Sequence, residues 1–261
     1  MKLSLNTATL REQWSLVECV EGCARHGFTG IAPWRQDIEK IGLKRAKQVI
    51  ADAGLLVTGL CRGGLFAESS WRDHNRRAID EAHSLDARCL VMLTGGMLPE
   101  ERSLVSARER AEAALADLLP LARAAQVTLA IEPLHPMYAA DRSFINTLEQ
   151  ANNLCDRLGE GMGVAVDAYH VWWDPNLERE IARAGPRIVA FHICDWLYQT
   201  EHMLMDRGMI GDGVIDLRRM HELVRRAGFD GLCEVEIFSE RWWREDPDGV
   251  LSLIAARSSW A

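Results

Sequence analysis

Short apolar runs alternate along the chain with longer stretches in which apolar residues recur at helical spacing. The short runs have the length of buried strands, and the longer stretches have the one-sided pattern of amphipathic helices. Strands are predicted at residues 2–6, 30–32, 56–60, 89–93, 127–132, 163–167, 188–194 and 232–238. Helices are predicted at residues 14–26, 43–53, 72–85, 103–125, 144–158, 176–184, 217–227 and 247–257.

Glycines follow several of the predicted helices, at Gly27, Gly54 and Gly228, each just before the next strand, as is typical of helix C-caps. Alternation of strand and helix indicates parallel β/α units, which a doubly wound sheet would also contain. Eight units in 261 residues favour the α/β class with a closed (β/α)8 TIM barrel. Because no linker or low-complexity stretch interrupts the pattern, we expect one domain over residues 1–261.

Composition narrows the classes of partner. The net charge of −8 and the sequence pI of about 5.5 argue against a nucleic-acid binder, which normally has a basic face. The N-terminal residues resemble neither a signal peptide nor a membrane span, so we expect no membrane association. The seven scattered cysteines form no CxxC pair and are expected to be reduced thiols of a cytoplasmic protein. No P-loop or dinucleotide motif is present, which predicts no nucleotide cofactor.

Four consecutive predicted strands, the fifth to the eighth, carry metal-competent side chains at or near their ends. They are Glu132, Asp167, His192 and Glu236. Chemistry in a TIM barrel takes place at the C-terminal ends of the strands. Each residue alone fits a helix cap, a surface ion pair or a structural histidine, but the coincidence on four successive strands predicts a metal site. Three carboxylates and one imidazole suit one divalent ion, Mn²⁺ first, with Mg²⁺, Co²⁺ or Zn²⁺ as alternatives.

Strand alternation is consistent with this site. If the four residues face into the barrel, so do the small residues Thr128, Ala130, Ala165 and Ala190. The bulky neighbours then face the helix layer, namely Leu129, Ile131, Val164, Val166, Val189 and Phe191. On strand eight both Glu234 and Glu236 face inward. Glu236 is level with the other ligands, and Glu234 lies one layer lower as a supporting or ion-paired carboxylate.

The motifs at these strand ends resemble a known family. They are Ile131-Glu132-Pro133-Leu134, Val166-Asp167-Ala168-Tyr169-His170, Phe191-His192-Ile193-Cys194-Asp195, and the segments 211–216 and 231–236. Over essentially its whole length the chain resembles the xylose isomerase-like TIM barrels, also called sugar phosphate isomerases/epimerases or endonuclease family 2. Its first nine residues, and residues 235–238 followed by Glu240, resemble the inosose (2-keto-myo-inositol) isomerase branch.

The resemblance implies that Glu132, Asp167, His192 and Glu236 bind the metal, and that Glu132 and Glu236 also act as the catalytic acid and base. It further implies that His170 and Arg207 contact the substrate. For Arg207 the alternative is a salt bridge to Asp206 or Asp212.

Other residues follow strand ends on the same side. Arg62, Gly63 and Gly64 are expected after strand three, and Gly95 and Gly96 after strand four, either near the ligand or as ordinary tight turns. His135 is expected to line the pocket. The tryptophans after strands two, six and seven are expected to form a sugar-binding wall, or else to pack within loops or at a subunit interface, namely Trp34, Trp172, Trp173 and Trp196. Trp242 and Trp243, after strand eight, are expected to line a dimer contact instead. A homodimer or homotetramer is left open.

These features predict a metal-dependent isomerase or epimerase of a small polyhydroxy ketone, such as a ketose, keto sugar or inosose. The metal would stabilise a cis-enediolate while carboxylates move the proton. The alternative is a lyase of the same family, an inosose or 3-dehydroshikimate dehydratase, with His170 or His202 as general acid. An abasic-site endonuclease would need further metal ligands and a basic groove. A non-catalytic sugar-binding protein on this fold would lack a metal-binding residue, and all four candidate metal-binding residues are present.

Overall fold

Parallel strands form one curled sheet in the computed structural model, which describes residues 2–258. Met1 and residues 259–261, the two ends of the predicted domain, lie outside the described residues. The strands are β1 (Leu3–Asn6), β2 (Gly30–Ala32), β3 (Leu56–Val57), β4 (Leu60–Gly64), β5 (Leu90–Leu93), β6 (Leu129–Ile131), β7 (Met162–Asp167), β8 (Ile188–Ile193) and β9 (Cys233–Val235).

The third predicted strand is divided between the two ends of this sheet. The strand order is β3-β2-β1-β9-β8-β7-β6-β5-β4, so β3 and β4 stand at opposite edges although only Thr58 and Gly59 separate them. Backbone hydrogen bonds continue on both sides of the break, from Thr58 N to Ile31 O at 3.1 Å and from Leu60 N to Cys89 O at 3.0 Å. The sheet therefore returns on itself, and the predicted TIM barrel is confirmed, with nine strand segments where eight strands were predicted.

Helices alternate with these strands and cover the outside of the barrel. They are α1 (Leu16–Arg25), α2 (Arg35–Ile41), α3 (Leu43–Asp52), α4 (Trp71–Ser84), α5 (Leu104–Ala124), α6 (Leu148–Leu158), α7 (Ala168–Val171), α8 (Leu177–Ala184), α9 (Leu217–Arg226) and α10 (Pro247–Arg257). Short 3-10 turns cover Thr7–Leu10, Pro136–Tyr138, Gly185–Arg187 and Trp242–Arg244. The sequence pattern missed α2 and the single turn α7.

Capping side chains explain two helix starts that differ from the prediction. Ser15 and Glu18 form a reciprocal capping box, so α1 begins at Leu16 and not at residue 14. The Thr147 side chain accepts a hydrogen bond from the backbone N of Gln150, so α6 begins four residues later than predicted.

Inward and outward positions separate into two apolar clusters, as strand alternation predicts. Small inward residues form the barrel interior, comprising Cys61, Cys89, Val91, Ala130, Ala165 and Ala190. The bulky outward residues join the helices in the main core, including Leu129, Ile131, Val164, Val166 and Phe191. Val189 was predicted to face outward and instead packs against the interior cluster. The β7–β8 register shifts between Val164 and Ala165 and displaces it.

Two expectations from the sequence, reduced cysteines and no membrane span, can be compared with the structure of residues 2–258. Each of the seven cysteines is a buried free thiol. Between residues 2 and 258, none of the helices has both the length and the apolar content required to cross a bilayer.

Candidate metal centre and cavity

Glu132, Asp167, His192 and Glu236 converge at one end of the barrel. Each is buried and offers one ligand atom, and these atoms all lie within 4.8 Å of one another. Asp167 ends β7 and pairs in register with His192 on β8. Strands β6 and β9 are shorter than predicted, so Glu132 and Glu236 are the first residues after their strands. The barrel thus gathers four potential ligands from four neighbouring strands.

The imidazole of His192 lies between two carboxylates. Its Nδ1 atom is 2.8 Å from Oε1 of Glu132, and its Nε2 atom is 3.4 Å from Oε1 of Glu234. Nε2 is buried, and the geometry at Glu234 does not complete a hydrogen bond. Burial alone would lower the pKa of His192, but the charges of Glu234 and Glu132 outweigh it and raise that pKa well above its ordinary value.

Arg207 joins two of the three converging carboxylates. Its Nη1 atom lies 3.0 Å from Oε2 of Glu236 and 3.3 Å from Oδ2 of Asp167. The flat guanidinium is covered by the rings of Tyr169 and Phe238, whose centroids lie 4.5 and 4.9 Å from its central carbon. The alternative expectation, a salt bridge to Asp206 or Asp212, is wrong. The backbone hydrogen bond from Arg207 to Phe238 O turns this arginine toward the barrel.

Burial raises the pKa of two of these carboxyls. It raises the pKa of Glu236 to about 7, although the nearby charges of Arg207 and His192 act to lower it. Burial also raises the pKa of Asp167, again against the lowering effect of Arg207. Of these two carboxyls, Glu236 therefore titrates near neutral pH in the metal-free protein.

Beneath the cluster, Glu234 belongs to a buried polar network. Asn6 Nδ2 donates to Oε1 of Glu234 at 2.7 Å and to Oε1 of Glu236 at 2.9 Å. Thr58 Oγ1 donates to the other oxygen of Glu234 at 2.8 Å and lies 2.7 Å from Ser4 Oγ. Glu234 is thus inward and below the cluster, as predicted. Sequence reasoning missed Asn6, whose only local signal was its position at the end of β1.

A cavity of about 670 Å³ opens above the cluster. Glu132 and Glu236 lie in its wall, together with four of the five predicted substrate-binding residues, Trp34, Arg62, His170 and Arg207. His135, the fifth, does not line it and instead stacks on Trp196 at 5.0 Å between ring centroids. Arg62 was expected after strand three, but it lies within β4, as do Gly63 and Gly64, because that strand runs four residues further than predicted. Arg11 also lines the cavity and was not identified from the sequence.

His170 is fully enclosed at the cavity wall. Its Nδ1 atom lies 3.3 Å from the His135 backbone N, and its Nε2 atom lies 3.3 Å from Nη2 of Arg207. Both partners are donors, and a neutral imidazole can accept only one of the two hydrogen bonds. Nε2 lies 3.7 Å from Oδ2 of Asp167. Burial, together with the charge of Arg207, lowers the pKa of His170 well below its ordinary value. This histidine is therefore a neutral hydrogen-bonding group.

Most of the candidate aromatic wall packs within loops. Trp196 stacks on Tyr169 at 4.7 Å and lies 5.8 Å from Trp172, while Trp173 contacts His135 edge-on. None of these three tryptophans lines the cavity within residues 2–258, and only Trp34 does so. Trp242 is buried inside the chain, and Trp243 donates through Nε1 to Ala8 O, so the expectation of a subunit contact through Trp242 is wrong.

The loop between β8 and α9 is held close to the site. Oδ1 of Asp195 accepts from the backbone N of Ile215 at 3.0 Å, and Oδ2 accepts from that of Gly211 at 3.1 Å. The backbone O of Met203 accepts from the hydroxyls of both Tyr138 and Tyr169, at 3.1 and 2.6 Å. These contacts fix the loop that carries Arg207.

The donor set fits a divalent cation. Three carboxylates and one imidazole are oxygen and nitrogen ligands of the kind that Mn²⁺, Mg²⁺ or Zn²⁺ binds. Burial raises the pKa of Glu236 and of Asp167, and a divalent cation would offset the cost of burying their charges. Nδ1 of His192 faces the cluster while Nε2 faces Glu234, which is the arrangement expected of a metal-binding histidine held by a carboxylate.

Comparison with protein families gives one match over most of the chain. A family model described as xylose isomerase-like TIM barrel matches residues 20–255. Among curated relatives, inosose isomerase of Bacillus velezensis is 24% identical over 94% of this chain and 91% of its own length. L-ribulose-5-phosphate 3-epimerase UlaE of Salmonella typhi is 27% identical over 63% of this chain and 55% of its own length.

Solved structures of similar shape include one with substantial sequence identity. Protein SMc04130 from Sinorhizobium meliloti 1021 is 52% identical, with a TM-score of 0.95 over 98% of this chain and 97% of that chain. The IOLI protein, whose crystal structure holds a zinc atom, is 20% identical, with a TM-score of 0.83 over 99% of this chain and 96% of its own. At 20% identity, the similarity to the IOLI protein shows that the two proteins share a fold.

Proposed function

Because the chain belongs to the xylose isomerase-like TIM barrel family, we propose that it is a divalent-metal-dependent isomerase or epimerase of a small polyhydroxy ketone. The observation that carries the proposal is the convergence of Glu132, Asp167, His192 and Glu236 within 4.8 Å at the floor of a cavity of about 670 Å³. Sugar isomerases and epimerases among the relatives support the same class of reaction.

In this proposal the four side chains hold one ion, with Mn²⁺ preferred over Mg²⁺, Co²⁺ and Zn²⁺. The IOLI protein, which shares this fold, holds a zinc atom, and this supports a divalent ion in the present protein. When bound, the ion supplies Lewis-acid stabilisation for the charge that develops on two adjacent substrate oxygens.

Glu132 and Glu236 are assigned as the acid/base pair. A hydrogen on the carbon beside a ketone is weakly acidic, and a carboxylate at the cavity floor can remove it to give an enediolate. Returning the proton to the neighbouring carbon gives isomerisation, whereas returning it to the opposite face of the same carbon gives epimerisation.

Neighbouring residues hold this pair in place. Arg207 contacts Glu236 and Asp167 directly, so its first contribution is to position two carboxylates, beside the substrate contact expected of it. His170 presents a neutral imidazole at the cavity wall, where it can hydrogen-bond a substrate oxygen. Trp34 supplies an apolar ring for the C–H face of a sugar.

No observation favours the lyase alternative, which needed His170 or His202 as general acid. The lowered pKa of His170 makes its charged form scarce. His202 is exposed, does not line the cavity, and accepts hydrogen bonds through Nδ1 from the backbone N of Leu204 and Met205.

The decisive experiment combines metal binding with solvent exchange. The purified protein is expected to bind one divalent ion per chain, and Glu132→Gln and His192→Ala to bind it at least 100-fold more weakly. Equal metal affinity in these variants and the wild type would refute the proposal. Incubation with ketoses, inososes and 3-keto sugars in D₂O with Mn²⁺ is expected to give a product of the substrate's composition that carries deuterium. A product lighter by one water would instead assign a lyase.

A further inference from the structure

Five arginines line the cavity, and they differ in whether a carboxylate balances them. Arg35 pairs with Glu81, Arg142 with Asp141 at 3.7 Å, and Arg207 with Glu236 at 3.0 Å. Across residues 2–258, Arg11 and Arg62 have no carboxylate at ion-pair distance and no side-chain hydrogen bond. These two cations are therefore free to bind something that enters the cavity.

Aromatic rings surround the guanidinium of Arg11. Its central carbon lies 4.7 Å from the ring centroids of both Trp34 and Phe238 and 5.9 Å from that of Trp243. Its Nε atom is buried and has no hydrogen-bond partner among the described atoms. The rings attract the charge of the guanidinium but offer it no oxygen acceptor, so its N–H groups are available for an anion.

Arg62 approaches the same tryptophan. Its guanidinium carbon lies 5.6 Å from the Trp34 ring centroid, so one indole contacts both unpaired cations. Trp34 is itself fixed, because its Nε1 atom donates to Oδ1 of Asn6 at 2.8 Å. Asn6 in turn donates to Glu236 at 2.9 Å. The two arginines are thus tied, through one tryptophan and one asparagine, to a candidate metal ligand.

Both guanidinium groups are partly withdrawn from water. Burial lowers the pKa of Arg11 and of Arg62 from their ordinary value, although arginine remains charged. Two unpaired, partly desolvated cations near one ring are unfavourable, and an anion between them would relieve this cost. Such an arrangement is typical of a site that is completed by its ligand.

We propose that Arg11 and Arg62 form an anion subsite beside the metal centre, which binds the acidic group of the substrate. The substrate class is then a polyhydroxy ketone that carries a phosphate or a carboxylate. This inference rests on the proposed function for the ketone end of the molecule, but the anion subsite itself can be tested without turnover.

The first test uses metal-free protein, so that phosphate cannot bind to a metal ion. Calorimetric titration with inorganic phosphate is compared for the wild type, Arg11→Gln, Arg62→Gln and the double variant. Each single variant is expected to bind phosphate about tenfold or more weakly, since each loses a charge-assisted contact. The matched control is Arg142→Gln, which removes a cation from the same cavity that already pairs with Asp141. Its affinity is expected to change less than threefold.

Equal phosphate affinity in the wild type and the double variant would overturn the subsite. Arg11→Lys guards against a folding artefact, because it keeps the charge and is expected to recover part of the affinity. Thermal unfolding of each variant identifies any that does not fold, and in that case the lysine variant decides the question.

The second test separates the two sources of the anion in metal-loaded protein. Solvent deuterium exchange is measured with a neutral ketose, its terminal phosphate and a keto acid of equal length. A preference of tenfold or more for the phosphate or for the acid, lost in the double variant, supports the proposal and identifies the group. If deuterium exchange is equal for the neutral ketose, the phosphate and the keto acid, and is unchanged in the double variant, the anion subsite is overturned. The isomerase proposal then remains intact. Failure to bind a divalent ion would instead refute the proposed function and leave the phosphate titration valid.

Discussion

Oε1 of Glu234 lies 3.4 Å from Nε2 of His192, while the other ring nitrogen, Nδ1, faces Glu132 at 2.8 Å. The ring therefore has a carboxylate at each nitrogen. A metal held at Nδ1 would leave the proton of the neutral ring on Nε2, and the charge of Glu234 at 3.4 Å would favour this tautomer and this orientation of the ring.

We expect Glu234→Gln to weaken divalent-metal binding by about 10- to 100-fold without removing a ligand. The amide keeps the size of the side chain but loses the charge that orients His192. Calorimetric titration with Mn²⁺ measures the effect. Glu240→Gln is the matched control, because Glu240 lies shortly after the same strand, is exposed and pairs only with Arg244 among the described ion pairs. Glu234 would have no positioning effect if both variants bound Mn²⁺ like the wild type.

Metal affinity is expected to rise with pH through the neutral range. Burial raises the pKa of Glu236 to about 7, so below that pH the metal-free carboxyl holds a proton that the bound state must release. The affinity should fall by at least about tenfold for each pH unit below 7. The neighbouring carboxylates raise the pKa of His192 well above its ordinary value, so this ring must also release a proton, and the rise in affinity should continue above pH 7. Titrations in two buffers of different ionisation enthalpy measure the proton release. An affinity that stays constant as the pH falls from about 7.5 to about 5.5 would contradict this expectation.

Removing Arg207 is expected to destabilise the metal-free protein strongly. Its guanidinium is buried between Asp167 and Glu236, and loss of one partner from a buried ion pair typically costs about 3–5 kcal/mol. Urea unfolding of Arg207→Gln measures the free energy of unfolding. Arg244→Gln breaks an exposed pair with Glu240 and should change it by less than about 1 kcal/mol. Similar effects of the two variants would show that the Arg207 contacts are not stabilising.

The seven thiols are expected to react slowly in the native protein. All are buried, and burial raises the pKa of Cys23 and Cys233 to about 12 and that of Cys155 to about 11. Little thiolate is then present at pH 8, and the thiolate is the reactive form. Ellman's reagent should label all seven cysteines in denaturant and far fewer without it. Rapid native labelling of several thiols would disagree with the buried positions.

The sequence was sufficient to predict the barrel and the four converging side chains because both depend on local periodicity. An inward residue at the end of a parallel strand reaches the same rim as its neighbours, so alternation alone predicts that Asp167 and His192 meet. The same logic correctly placed Glu234 below Glu236. It could not place the break in the third strand, where pairing changes partner between β3 and β4.

Contacts between distant parts of the chain were less predictable. Arg11 depends on Trp34 and Phe238, which no spacing rule joins to it. Arg207 lies on a long loop, so its true partners could not be chosen from the charges adjacent in sequence. His135 follows a ligand by three residues, but its ring stacks on Trp196 and turns away from the cavity.

Asn6 ends the first strand, and its partners Glu234 and Glu236 lie at the last strand. The floor of the cavity therefore crosses the seam at which the barrel closes. During synthesis the first of these residues leaves the ribosome more than two hundred residues before the others. A nascent chain therefore lacks the complete set of candidate ligands until Glu236 has been synthesised, and we expect any metal to bind only after the barrel has closed.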